Sequence, residues 1–152
     1  MLAAQKNTGF TMVEMLIVLS IIGILAAVAY PAYTRSVQNT ARTNAQGALS
    51  AGASAIERLK ATTLSYTGAT VGSTTGSTVS DRSPSTGTIK YNISMATAVT
   101  ATTYTLRAAS TDAQDNDGGS VEIMMINQAG QTCIATKTSA TDTCTFGTDP
   151  AW

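Results

Sequence analysis

Glu14 is the residue whose surroundings most need a chemical explanation. It is the only charge between Phe10 and Tyr30, a stretch that is apolar almost without interruption and carries no Lys or Arg. About 20 apolar residues in a helix, rising about 1.5 Å each, span the roughly 30 Å hydrocarbon core of a bilayer. An acid at the centre of such a helix costs about 2.5–3.5 kcal/mol on insertion scales. Two readings follow from the residues. Glu14 could sit near the helix start, at the headgroups and the positive end of the helix dipole. Alternatively, it awaits a cation supplied by another chain.

Other groups with chemical potential are few. Cys133 and Cys144 lie far beyond the apolar stretch. Translocation would place them in an oxidising compartment, where a bridge between them would contribute about 3 kcal/mol; two free thiols are the other reading. Their spacing fits neither a redox CxxC pair nor a zinc site. Asp112, Asp115, Asn116, Asp117 and Gly118 form an acidic turn that could offer oxygen ligands to calcium. The spacing is not that of an EF-hand loop, and tight turns need the same residues. There is no His, so the commonest general base and metal ligand is missing. The Gly residues at 68, 72 and 76 lack the Lys of a phosphate loop, and Ser and Thr are scattered without a paired base. Glu57 and Glu122 stand alone and are expected to face solvent. These residues imply neither an enzyme nor a cofactor or metal.

The elements that must position these groups are legible in outline. The 152 residues suffice for one domain with its own core, and formal charge is zero. A strongly basic body is absent, so bulk charge gives no argument for nucleic-acid binding. Beyond Pro31, Val37, Ala41, Ala45, Ala48, Leu49, Gly52, Ile56 and Leu59 recur at three- and four-residue steps. One helix is therefore expected from about residue 10 to about residue 61, hydrophobic all round in its first half and amphipathic in its second. Pro31 should kink it, and Gly23 is a second weak point. In residues 62–88, 15 of 27 are Ser or Thr, which predicts a loop with a short strand or turn, a solvated spacer in the plainest reading and a site of surface display, adhesion or O-glycosylation in the other. The Asn92-Ile93-Ser94 sequon falls inside an expected strand. From residue 89 the period becomes two, with strands expected around Ile89–Met95, Thr102–Ala108, Val121–Ile126 and Thr132–Lys137. Short Gly-, Asp- and Asn-containing gaps predict antiparallel hairpins.

The junction Lys6-Asn7-Thr8-Gly9-Phe10-Thr11-Met12-Val13-Glu14-Met15 resembles the leader junction of type IV prepilins. It has a basic residue in a short leader, a Gly before the cut, a Phe after it, and a Glu four residues further on. Gly23 and Pro31 stand at offsets typical of pilins. Tyr104-Thr105-Leu106, Asn127-Gln128-Ala129-Gly130-Gln131 and Trp152 resemble the second half of many pilins, most of all the minor pilins that end in a cysteine loop and a Trp. In that branch the first cysteine often precedes the third strand, whereas Cys133 lies in the fourth.

The resemblance implies an α+β pilin fold: a long N-terminal helix packed on a four-stranded antiparallel sheet, with a disulfide-closed C-terminal loop. It implies a leader at residues 1–9, a transmembrane and filament-core half-helix at 10–31, and a globular domain at 32–152. Within that domain lie the second half-helix at 32–61, a variable loop at 62–88, and sheet plus C-terminal loop at 89–152. Prepilin peptidase would cut between Gly9 and Phe10 and N-methylate Phe10. Glu14 would meet the Phe10 amine of a neighbouring subunit, cationic at neutral pH, and set the height of adjacent helices. Gly23 and Pro31 would bound a stretch that loses helicity in the filament, or only curve the helix. The implied partners are other pilin subunits, the peptidase, the inner-membrane assembly platform and, before assembly, inner-membrane lipid. DNA or a host surface are further candidates. The chain would be a major or minor subunit of a bacterial type IV pilus, first in the inner membrane and then extracellular, supporting motility, adhesion or DNA uptake. Two alternatives are a type II secretion pseudopilin and a secreted β-rich binding protein cleaved after Ala29.

Overall fold

The computed structural model describes residues 10–111, 121–136, 139 and 142–152. The leader with Gly9, the acidic turn Asp112–Asp117 and Lys137 lie outside the described residues. Helix α1 runs unbroken over Met12–Thr63, through Gly23 and Pro31. Thr11 caps its start: the Glu14 amide donates to Thr11 Oγ1 at 3.2 Å, satisfying a donor that the first turn leaves without a partner. Lys60 supplies a cation in the last turn, where the dipole favours one. The chain divides into an N-terminal unit ending at Arg35 and a body from Ser36 onward.

The body is built on the second part of α1. Ala41, Ala45, Leu49, Gly52, Ala53 and Ile56 form its buried stripe. This is the expected face with Ala53 added, while Val37 is 38% exposed and does not join it. Small side chains let other segments approach closely. At Gly52 a Cβ would lie 2.7 Å from Val79 Cγ1, so only glycine fits there without a shift.

Among the described residues the sheet has five strands, not the four expected, in the order β1-β2-β3-β4-β5 with every neighbour antiparallel. The additional strand is β1 (Arg82–Ser83), at the end of the Ser/Thr-rich loop. Two residues cannot show a period, so nothing in the sequence marks it. The others are β2 (Tyr91–Met95), β3 (Thr105–Ser110), β4 (Glu122–Asn127) and β5 (Thr132–Thr136). Ile93, Leu106, Ala108, Met124 and Ile126 share one core with the α1 stripe. The Ser/Thr-rich loop is partly packed as well: Tyr66 and Val79 are buried in that core, and Ala69 and Val71 lie against it. Val79 is held there by backbone bonds, from its amide to Thr70 O and from Gly72 N to its carbonyl, both 3.0 Å.

A second, smaller core lies on the opposite face of the sheet, where Met125, Cys133 and Cys144 pack with Ala96, Ala135 and Phe146. Cys133 and Cys144 are bonded, with Cα atoms 6.0 Å apart. The chain then passes the free edge of β5, where Ile134 N donates to Pro150 O at 2.8 Å. Trp152 arrives at the helix-side core. The C-terminal residues thus wrap one edge of the sheet and satisfy part of it, which limits edge-to-edge pairing.

Candidate functional site: the apolar half of α1 and the polar anchors of the body

Phe10 stands just ahead of the helix and is 75% exposed. From Met12 to Tyr30 no side chain is buried, although Leu16, Ile17, Leu19, Ile21, Ile22, Ile24 and Leu25 lie there. This helix is long and apolar enough to cross a membrane. Polar groups in the stretch are turned inward on the helix itself: Ser20 Oγ donates to Leu16 O at 2.8 Å. Pro31 offers no amide to the Ala27 carbonyl, and Thr34 Oγ1 donates to Pro31 O at 3.0 Å. Such a surface is stable only when lipid or other apolar helices cover it.

Glu14 falls in the first turn of α1, the third helical residue after the Thr11 cap. Thr11-x-x-Glu14 is the sequence form of a capping box. The position favours an acid locally, and it leaves the carboxylate at the exposed end of the apolar rod, four residues from Phe10. Gly23 and Pro31 lie within the same stretch, and Cβ at Gly23 would meet nothing within 4 Å.

Two polar anchors in the body were not anticipated. Glu122 does not face solvent. It is 5% exposed, accepts from Tyr91 Oη at 2.8 Å, and pairs with Arg42 Nε at 3.2 Å. The network ties α1 to β2 and β4. A buried carboxylate needs such partners, since burying an unpaired charge is costly. The available signal was its place at the head of the apolar run Ile123–Ile126 and the presence of Arg42 beside the α1 stripe.

The second anchor closes the helix end. Glu57 is exposed, as expected, but it accepts from Tyr66 Oη at 2.8 Å. Lys60 Nζ reaches the same hydroxyl at 3.2 Å and lies 4.3 Å from the Tyr66 ring centroid. Tyr66 meets Tyr104 edge-on at 4.9 Å. Burial foremost, then the Glu57 charge, pushes the Tyr104 hydroxyl well above the usual phenol range. Burial, with the Glu57 hydrogen bond, raises Tyr66 too. Among the described residues no group of three or more His, Cys, Asp or Glu is placed to hold a metal.

An apolar half-helix behind a methylation-type junction, joined to a helix-on-sheet body with a C-terminal disulfide, defines a pilin. A family model described as "Type IV minor pilin ComP, DNA uptake sequence receptor" matches residues 31–121, and the prokaryotic N-terminal methylation motif matches residues 4–30. The chain belongs to the ComP-like type IV minor pilin family. It is 48% identical over 54 residues to the type IV major alpha-pilin of Moraxella bovis, which is 36% of this chain and 33% of that protein. It is 51% identical over 43 residues to the type IV major pilin protein PilA of Myxococcus xanthus (strain DK1622), covering 26% of this chain and 20% of that one. The match thus spans about a third or less of the length of these curated relatives. Among solved structures, the non-core minor pilin PilV of Neisseria meningitidis aligns at a TM-score of 0.48 and 14% identity, over 69% of this chain and 93% of that one. The methylation motif and the apolar helix together fit anchorage in a membrane.

Proposed function

We propose that this chain is a minor, non-catalytic subunit of a bacterial type IV pilus that contributes DNA capture to the fibre. The observation that carries the reading is the family match over residues 31–121, which covers the second part of α1 and the sheet through β3. The family's description names a receptor for DNA uptake sequences.

In this reading prepilin peptidase cuts between Gly9 and Phe10 and methylates Phe10. The Phe10–Tyr30 rod then holds the subunit in the inner membrane. The assembly platform extracts it, and the rod exchanges lipid for sister helices at little cost, because both surroundings are comparably apolar. Glu14 meets the Phe10 amine of a neighbour and sets the docking height. Between Gly23 and Pro31 the helix is the weakest, which lets it yield during packing.

DNA contact must come from local cations, because the body is near neutrality. Arg58 is exposed near the end of α1, and Lys60 follows in its last turn. Arg82 and Arg107 lie opposite Asn92 and Ser94 in the ladder, alternating with buried Ser83, Leu106 and Ala108, so they share the sheet face turned away from α1. Arg82 is partly neutralised by Asp81 at 2.8 Å, and that hydrogen bond holds the Asp81 carboxyl below its ordinary range. The test is duplex-DNA binding by the full chain in detergent micelles across a salt series. Affinity should fall linearly on a log–log plot with a slope of about −0.9 for each phosphate contacted. No binding at low salt overturns the DNA reading and leaves the pilin assignment standing.

A further inference from the structure

We propose that Tyr30, Tyr33 and Arg35 form a collar that binds the phospholipid headgroup layer and fixes the depth of α1 in the bilayer, with the hydrocarbon span at residues 15–34. The inference rests on the membrane reading above and gives it a register. Glu14 and Arg35 are the only charges from residue 14 to residue 41. At about 1.5 Å per residue they stand about 32 Å apart along the helix, close to the roughly 30 Å thickness of the hydrocarbon core. The stretch between them, about 20 residues, is uncharged.

Two registers are open to this helix, and the side chains separate them. With residues 10–30 in hydrocarbon, Glu14 lies about 6 Å below the headgroups, where a carboxylate is costly, and Tyr33 stands in water. With residues 15–34 in hydrocarbon, no charge is submerged. Glu14, in the first turn, meets headgroups and water on one side, and Arg35 meets phosphates on the other. Ser20 and Thr34 are the only Ser or Thr in this window. Both are satisfied by the helix itself: Ser20 Oγ donates to Leu16 O at 2.8 Å, and Thr34 Oγ1 to Pro31 O at 3.0 Å.

The collar has the chemistry of the boundary. Tyr30 and Tyr33 are 74% and 69% exposed, whereas Tyr66, Tyr91 and Tyr104 are buried in the body. Three residues apart, they are neighbours on one face of α1. A tyrosine has an apolar ring and a polar tip, which suits it to the level where hydrocarbon meets headgroups. Arg35 is exposed, and a guanidinium can pair with phosphate oxygens through two parallel hydrogen bonds. Every residue from 10 to 33 is exposed, so the partner must surround the helix, as a bilayer does.

The experiment places the full chain in liposomes of phosphatidylcholine and phosphatidylglycerol and reads tryptophan depth with lipids brominated at different acyl positions. Trp152→Phe removes the native indole. In that background, Tyr33→Trp should be quenched best by bromines nearest the headgroup, and Ile24→Trp by those nearest the bilayer centre. A Tyr33→Trp indole that no bromolipid quenches lies in water, and one quenched best at the centre lies too deep; either result overturns the register. Adding Tyr30→Leu, Tyr33→Leu and Arg35→Leu to the Ile24→Trp protein should shift its depth by about 3 Å or more, because the apolar stretch then continues past residue 34. An unchanged depth overturns the collar. All of these α1 positions are exposed, so the Tm of the body should not move. An Ile24→Trp indole that no bromolipid quenches removes the membrane reading itself and the collar with it, a result distinct from the other two.

Discussion

Leu19 and Leu49 belong to the same helix, yet Leu19 is 64% exposed and Leu49 fully buried. The difference is not one of residue type or helix propensity. Around Leu49 the apolar positions are confined to one face and include Ala41, Ala45, Gly52 and Ala53, so a sheet can approach and cover them. Around Leu19 the helix is apolar on every side, and no single layer can cover a cylinder. A surface of that kind is stable only where lipid or other apolar helices cover it. The second half finds its cover within the chain.

The comparison can be broken most sharply at Glu14. Glu14→Ala should abolish incorporation into pili while leaving the Tm of the body unchanged; normal incorporation, measured by immunoblot of sheared filaments, would remove the docking role. A paired substitution tests the two leucines. Leu49→Ala should destabilise the body by about 2–5 kcal/mol, whereas Leu19→Ala should leave it unchanged in denaturant melts. Similar losses at both sites would mean that the halves are not distinct.

A smaller effect is expected at the second core. Cys133→Ser should cost about 3 kcal/mol by releasing the loop that carries Cys144 and Phe146 over Met125. An unchanged melt would show that the C-terminal wrap holds by packing alone. Tyr91→Phe should cost about 1–2 kcal/mol, because Glu122 then keeps Arg42 but loses a buried donor.

The smallest effect is on the alkaline limb of stability. A tyrosine in the unfolded chain ionises near pH 10, whereas folded Tyr104 holds its proton to higher pH. Above about pH 10 the unfolded state is thus favoured, and stability present at lower pH is lost as pH rises. Tyr104→Phe should flatten that limb in urea melts run from pH 9 upward. An unaltered slope would exclude Tyr104 as its source.

The methylation-type junction and the apolar run were readable because they depend on local order: Gly9, Phe10 and Glu14 are close in the chain, and an apolar run needs no tertiary context to be seen. Strands β2 and β3 were readable for a related reason, since alternation at Ile89–Met95 and Thr102–Ala108 encodes a buried face, and β4 stood out as the short apolar run Ile123–Ile126. Strand β1 was not, because two residues carry no period and its partner β2 is what makes it a strand. Glu122 was misread because an acid is solvent-facing by default, and its exceptions depend on partners 31 and 80 residues away. The Ser/Thr-rich loop was read as solvated, and its composition gave no hint that Tyr66 and Val79 would enter the core.

The order of residues alone determined that this chain has a greasy rod at one end, an amphipathic continuation and a run of alternating strands, because each is a pattern within a few neighbours. Only the tertiary structure decided which acid is buried, which loop residues become core, and that the C-terminal residues pass from one face of the sheet to the other around β5. Those outcomes depend on contacts between distant segments, whose pairing no local pattern encodes.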